Sequence, residues 1–324
     1  MDNNAKLRPL YLAKILYERT DEDHYLTTMQ LAQILEEEYG IPAHRQTIKT
    51  DIELQFGMDI QEVKSTQNRY NLISRQFEIA ELKLLIDAVQ SSKFISKERS
   101  EQMVSKIVTL AGQHKAEALK RNASVEGRVK SENRQDLLIV DAINEAINAR
   151  KKIAFQYFAY NVRKQKKLRH DGKRYIFSPY RLIWSGDYYY VLGYSDKHQA
   201  IGSFRVDRIS ARPDILSEEA VPVPADFDVD DFLATTFRMY GSECQEVELI
   251  CDNFVIDAII DRFGTDVTIY ACDMSTFRVI VRVAISHIFF SWIFGFGGKV
   301  RIKGPEETKR QYAAMIRDAV AELE

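Results

Sequence analysis

The sequence predicts an α+β chain of several domains. Three observations carry that prediction. At 324 residues the chain is longer than one ordinary domain. Its apolar spacing changes along its length, from helical to strand-like and then to an alternation of the two. Its charge is unevenly placed, although the formal net charge is only -2. With 45% hydrophobic and 28% charged residues the composition is globular. That excludes an acidic disordered tail and, for the chain as a whole, a simple polybasic nucleic-acid binder.

Residues 1–75 read as helices followed by a hairpin. The stretch 6–19 is helical, with Leu12, Ile15 and Leu16 on one stripe. Thr27 and Gln30 form a capping box, and the helix it starts has Leu31, Ile34 and Leu35 on its apolar face. Gly40 stops this helix and Pro42 turns the chain. A third helix carries Ile48, Ile52 and Phe56 at i, i+4 and i+8, and Gly57 ends it. Two strand-like runs then flank Thr66-Gln67-Asn68.

Three helices and a hairpin make the plan of a winged helix-turn-helix. If Ile48, Ile52 and Phe56 face the core, then Gln46, Lys49, Thr50 and Glu53 face outward. The start of that helix, His44-Arg45-Gln46-Thr47, is polar, compact and basic, as the base-reading end of a recognition helix must be. Arg45 suits guanine, Gln46 suits adenine, and Thr47 and Lys49 suit phosphates. Thr28 joins this expected DNA face, and Lys64, Asn68 and Arg69 reach the flanking backbone from the hairpin. The block holds more acids than bases, with a surface run Glu36-Glu37-Glu38, which weakens non-specific binding. Specific binding is therefore expected to rest on a homodimer reading two half-sites ~34 Å apart on a double-stranded operator.

Residues 76–150 read as a helical connector, with helices at 77–91, 103–110 and 137–147 and a polar loop at 120–134. Residues 151–212 turn to strands. Ile153, Phe155 and Tyr157 alternate along the first. Two aromatic-rich runs, 175–184 and 188–194, are joined by Ser185-Gly186-Asp187, which is strong turn chemistry. A further strand covers 201–209, and short strands without intervening helices point to a small barrel. Pro213, Pro222 and Pro224 mark a linker, 213–246. Residues 247–324 then alternate as βαββαβ plus a helix, a ferredoxin-like split βαβ pattern.

Three runs in the strand block carry a family resemblance. They are Ser178-Pro179-Tyr180-Arg181-Leu182, Asp187-Tyr188-Tyr189-Tyr190-Val191-Leu192-Gly193-Tyr194, and Ser203-Phe204-Arg205-Val206-Asp207-Arg208-Ile209. Together they resemble the WYL domain, a small Sm-like β-barrel of bacterial transcriptional regulators. The family's Trp-Tyr-Leu falls on Tyr189-Tyr190-Val191 and matches only at Tyr190. The block order also resembles the family's: winged helix-turn-helix, helical connector, WYL barrel, C-terminal extension. The stretch from Phe290 through Trp292 and Gly295 to Val300 is similar to that extension. The resemblance implies a dimeric, ligand-responsive transcription factor. Its WYL domain would sense a nucleotide or nucleic-acid fragment, in phage defence or the response to DNA damage. The ligand-binding residues it implies here are Tyr180, Arg181, Tyr190, Arg205 and Arg208, with Asp207 orienting an arginine.

The residues support a nucleic-acid effector independently. From Arg150 to Arg181 basic residues crowd together and Asp171 is the only acid. They interleave with Tyr157, Tyr160, Tyr175 and Tyr180, so cations can track phosphates while rings stack bases, and Tyr157 joins the candidate ligand site. Arg205 and Arg208 are three apart, which puts them on opposite faces of a regular strand. From Asp214 to Asp261 the sign reverses: Asp228, Asp230 and Asp231 are among many acids, and Arg238 is the only base. This acidic stretch is expected to dock on the basic barrel and to compete there with an anionic ligand.

Other chemistries find little support. Gly295-Phe296-Gly297-Gly298-Lys299 lacks phosphate-loop spacing and reads as a helix stop before a strand. Asp228-Val229-Asp230-Asp231 lacks the Gly and Glu of a calcium loop, and capping near Asp230 fits it better. His170 and His287 have no ligand partner at i+3 or i+4, and no Ser or Cys nucleophile motif occurs. No catalytic residue, metal or cofactor is expected. An accessory factor of RNA polymerase and a nucleic-acid-processing enzyme stand as the alternatives to a regulator. Cys244, Cys251 and Cys272 are too few for a disulfide framework and read as buried, reduced thiols. With no signal core and no membrane-length apolar run, a soluble cytoplasmic protein is expected.

Overall fold

A computed structural model describes residues 3–64, 68–121, 130, 135–225, 227–229, 232 and 244–321. It divides the chain into two compact units, Met1–Arg134 and Gln135–Glu324. Mixed helices and sheets make it an α+β, multidomain fold.

The first unit begins with α1 (Asn3–Arg19), β1 (Leu26–Thr27), α2 (Thr28–Tyr39) and α3 (Arg45–Ile52). The capping box is present: Thr27 accepts from the Gln30 amide, and the Gln30 side chain accepts from the Thr27 amide at 2.8 Å. Gly40 closes α2 at φ 64°, a left-handed position that any Cβ would strain. β2 (Ile60–Val63) and β3 (Arg69–Leu72) complete an antiparallel sheet in the order β1-β3-β2. Leu12, Leu16, Leu31, Leu35, Ile48 and Tyr70 fill the core beneath it.

One expectation changes here. α3 ends at Ile52 and does not run to Gly57. The Leu54 amide turns to Asp51, the tighter i−3 pattern, and Phe56 sits at φ 51°. Phe56 still packs on the core, so its i+8 spacing reported burial correctly and helix length incorrectly. Thr66 and Gln67, at the hairpin tip, lie outside the described residues. The unit continues with α4 (Ile79–Ser91), α5 (Lys97–Thr109) and α6 (Gln113–Arg121), packed through Leu82, Ile86, Val104, Val108 and Leu119. The sequence reading anticipates no α6. The rest of its 120–134 loop, apart from Lys130, lies outside the described residues.

The second unit opens with α7 (Asp136–Ala149), which leads through Arg150 (φ 51°) into β4 (Lys151–Phe155). A small hairpin, β5 (Phe158–Tyr160) and β6 (Lys166–Leu168), precedes β7 (Tyr175–Ser185), β8 (Tyr188–Ser195), β9 (Ala200–Arg205) and β10 (Asp214–Glu219). The five-stranded sheet has the order β10-β4-β7-β8-β9. β7 and β8 turn at Gly186 (φ 53°) and Asp187 (φ 75°), the two positive φ values that a two-residue hairpin of matching twist requires. Phe204 centres the aromatic core, its ring 5.1–5.2 Å from those of Phe155, Tyr157, Tyr175 and Phe177.

Two further expectations change. Residues 214–219, assigned to a linker, form the edge strand β10, with Asp214 opposite Ala154. Pro213 signals a break, but it stands just before an edge strand, where proline costs no ladder bond. The strand expected at 201–209 stops at Arg205, and Val206–Arg208 is a 3-10 turn. Ile209 then bridges to Tyr157.

A second sheet follows. Its elements are β11 (Cys244–Asp252), α8 (Ile256–Phe263), β12 (Ile269–Ala271), β13 (Thr276–Ala284), α9 (His287–Phe294), β14 (Val300–Gly304) and α10 (Glu306–Ala321). The strand order is β12-β13-β11-β14, every neighbour antiparallel. Leu249, Cys251, Val279 and Val281 pack with Ile259, Phe289 and Ile293 on one face. The glycine run 295–298 closes α9 before β14. Cys251 is buried and Cys244 half-buried, but Cys272 is exposed in the β12–β13 turn, which corrects the expectation of buried thiols. No helix among the described residues is long and apolar enough to cross a membrane.

Candidate functional site

The first unit gathers a polar cleft of about 260 Å³ between the start of α2, α3 and the hairpin. Thr28, Met29, Arg45, Gln46, Lys49, Asn68 and Tyr70 line it. The Thr28 amide donates to the Asn68 carbonyl at 3.2 Å, which ties the hairpin to α2. Arg45 is exposed, and its guanidinium approaches the Met29 sulfur at 3.7 Å. Burial raises the Tyr70 hydroxyl pKa, and that hydroxyl donates to Glu62 at 3.3 Å. His44 precedes α3 as an exposed N-cap without a side-chain cap bond. Thr50 donates its hydroxyl back to the Gln46 carbonyl at 3.1 Å. Thr47 is half-buried; Lys64 and Arg69 do not line the cleft, and Arg69 stacks on Tyr25 at 4.3 Å.

Two residues that the sequence reading missed tie α3, which lines this cleft, to α1. Arg8 of α1 bonds Asp51 of α3 at 2.6 Å and again at 3.4 Å, with side chains only 15% and 12% exposed. The signal was available: Asp51 stands three residues after Ile48, on the buried stripe, where a carboxylate needs a partner.

In the second unit the candidate ligand residues fall into two groups. The first surrounds the turn after β9. Arg205 donates to both Asp207 oxygens, at 2.7 and 3.0 Å, and lies 3.5 Å from the centre of the Tyr188 ring. Burial works against its charge, but the Asp207 hydrogen bonds and charge outweigh it, and its pKa is raised. Arg208 approaches the same carboxylate at 3.9 Å and lies over Tyr160 at 4.9 Å. The 3-10 turn is what lets residues three apart converge on Asp207. Lys166 over Phe158 at 4.9 Å and Arg169 near Tyr157 at 5.9 Å extend this rim of cations on rings. Tyr157 itself is committed to the interior. Its hydroxyl accepts from the Arg205 amide at 3.2 Å, and burial pushes its pKa up to about 12.

The second group lies on one face of β7 and β8. Tyr190 sits between Ile183 and Arg205 in the ladder, and Arg181 is opposite Leu192. Tyr180, at the β7 bulge, donates its hydroxyl to the Pro222 carbonyl at 3.1 Å. Tyr190 thus connects the groups by its register with Arg205, while Tyr180 faces the segment after β10. Among the described residues no group of three or more His, Cys, Asp or Glu is placed to hold a metal ion.

The fold and the rim define a class: an aromatic-cored antiparallel β-domain, entered by a helix and edged with cations on rings. Residues 139–212 match the family model of the WYL domain, so the chain carries a WYL domain. The match includes most of α7, which the sequence reading assigned to the connector. No curated protein matches the chain. Among solved structures the chain is similar to proteasome accessory factor B/C (PafBC) of Arthrobacter aurescens, at 16% identity and a TM-score of 0.31. That similarity covers 98% of this chain and 48% of PafBC, so the chain spans about half of PafBC's length. It is also similar to a CRISPR Cas-related protein, at 13% identity and a TM-score of 0.38, covering 99% of this chain and 84% of that one.

Proposed function

We propose that this chain is a DNA-binding transcriptional regulator whose WYL domain senses a nucleotide or single-stranded oligonucleotide. The observation that carries the proposal is the cleft of the first unit. Thr28, Arg45, Gln46, Lys49 and Asn68 come from three elements to the open end of α3. Donors of that kind at a helix start suit base edges and flanking phosphates. In this proposal α1–α3 with the β2–β3 hairpin form a winged helix-turn-helix, α3 is the recognition helix, and the hairpin is the wing. The sheet β10-β4-β7-β8-β9 serves as the Sm-like barrel of the sensor, and β11–β14 form a ferredoxin-like extension. The protein acts without catalysis, as a cytoplasmic homodimer, because one short helix reads too few bases for usable specificity.

The test is a footprint on the promoter beside its own gene. Arg45→Ala should weaken that footprint by about 1–3 kcal/mol, roughly 5- to 150-fold, if Arg45 forks onto a base. A footprint of unchanged strength refutes the recognition-helix assignment.

A further inference from the structure

The cleft beside α3 is polar except at one point. Thr28, Arg45, Gln46, Lys49 and Asn68 carry polar groups, and Tyr70 is buried with its hydroxyl bonded to Glu62. Met29 is the one aliphatic side chain among the described residues that line the cleft. It is 48% exposed. It stands off the buried stripe of α2, which runs through Thr28, Leu31 and Leu35, and it is not part of the core beneath the hairpin.

Met29 belongs to α2 and Arg45 to α3, and their side chains meet at 3.7 Å, guanidinium to sulfur. Among the described residues no carboxylate pairs with Arg45, so its donors are left for an acceptor from outside, with the thioether at their flank. The backbone at Met29 is fixed on both sides. Thr27 caps the turn that contains it, and the Thr28 amide bonds the Asn68 carbonyl at 3.2 Å. The side chain is unbranched and polarisable, so it adapts to a small apolar group while its base stays in place.

The major groove offers such a group beside the partner that suits Arg45. Guanine presents O6 and N7 there, and a guanidinium forks onto both. Thymine presents its O4 and a C5-methyl on the same edge. When thymine neighbours that guanine, its methyl projects into the groove beside the bound guanidinium. Cytosine lacks the methyl and turns an amino donor toward the cation instead. Uracil differs from thymine by the methyl alone.

We propose that Met29 is a specificity-determining residue that packs on the methyl of a thymine next to the guanine read by Arg45. The proposal rests on the DNA-binding role given above and names what that site recognises, a thymine–guanine step. Met29 supplies apolar contact and Arg45 supplies the hydrogen bonds, so the step is read by two residues from two helices.

The experiment uses the full chain and the promoter fragment beside its own gene, amplified once with dTTP and once with dUTP. The two probes differ only in C5-methyl groups. Burying one methyl is worth about 4-fold in affinity, so the wild-type chain should bind the uracil fragment about 4-fold more weakly for each thymine read, roughly 15-fold over two half-sites. Met29→Ala should lose that preference, and Met29→Leu, which keeps an aliphatic side chain, should retain most of it. Removing methyls also changes the stiffness of the duplex, but every variant meets the same change, so the difference between wild type and Met29→Ala isolates the contact. Equal wild-type binding to the two fragments overturns the proposal, as does a preference that Met29→Ala keeps in full. If the wild-type chain binds neither fragment, the DNA-binding role itself fails and the reading of thymine falls with it.

Discussion

The Arg8–Asp51 pair ties α3 to α1, and its removal has a calculable effect. The pair is nearly out of solvent, at 15% and 12% side-chain exposure, and is doubly bonded. Breaking a fully buried pair costs ~3–5 kcal/mol, because the remaining charge is stranded. Partial exposure lets water relieve some of that, so Arg8→Met should cost about 2–3 kcal/mol. The chain folds as more than one unit, so a single melting temperature is not the right measure. Native-state hydrogen exchange on the α1 and α3 amides is, and 2–3 kcal/mol corresponds to ~30- to 150-fold faster exchange there. Arg8→Met combined with Asp51→Leu should recover most of the loss, since an apolar pair strands no charge. Under the proposed DNA-binding role, DNA affinity should follow the same pattern. If both single variants exchange at wild-type rates, or if the double variant is the sum of the two, the pair does not hold α3 to α1.

Three other outcomes follow from local geometry. Gly193 has the Ser178 carbonyl and the Phe177 ring where a Cβ would stand, so Gly193→Ala should unfold or distort the β7–β8 pair. Near-UV circular dichroism of the aromatic core reads this, and an unchanged spectrum contradicts it. Asp273 accepts from the Ser275 amide and from the Thr276 and Ser275 hydroxyls, which hold its pKa at about 2 against an ordinary 3.8. A depressed folded pKa stabilises above the ordinary value and is lost as pH falls through about 2. The 272–276 turn should therefore loosen between about pH 4 and pH 2, and Asp273→Asn should abolish that dependence in a nuclear magnetic resonance titration. Burial pushes the Cys251 thiol up to about 12, while Cys272 is exposed. Iodoacetamide at neutral pH should mark Cys272 first and Cys251 only on unfolding, as peptide mass mapping would register.

The legible parts of the sequence were those governed by local chemistry. Thr27, Gln30 and Gly40 bound α2 because caps and left-handed glycines act within one turn. Gly186-Asp187 fixes the β7–β8 hairpin for the same reason. The less legible parts depend on distant partners. β10 needs β4, more than fifty residues earlier, before 214–219 is anything but an acidic stretch. Likewise Asp51 makes sense only beside Arg8. The candidate site divided along this line. Arg45, Gln46, Lys49 and Thr28 share one cleft because a helix periodicity placed three of them. Tyr157 was misjudged as a stacking surface, because alternation along a strand tells which rings share a face but not which face is closed. The convergence of Arg205 and Arg208 on Asp207 depends on a 3-10 turn that no periodicity marks.

The charge pattern changes meaning once the partners are known. The acidic stretch is expected from the sequence to dock on the basic block. In the structure Lys152 is taken by Asp196 at 2.7 Å and Glu218 at 3.6 Å, and Arg174 by Asp214. Asp214 and Glu218 lie on β10, so that part of the acidic stretch completes the same sheet as the bases it neutralises. Asp230 and Asp231 lie outside the described residues. What covers the Tyr190 face is phenylalanine and valine. Lys166 and Arg169 instead lie over aromatic rings, whose quadrupoles attract a cation without cancelling its charge, while Arg208, over the Tyr160 ring, is also 3.9 Å from the Asp207 carboxylate. The net charge of -2 therefore combines ion pairs within the sheet with a rim of cations lying over aromatic rings. Under the ligand-sensing role proposed above, an anionic ligand would gain at this rim through charge, while the Tyr190 face is already covered by Phe227, Val229 and Phe232.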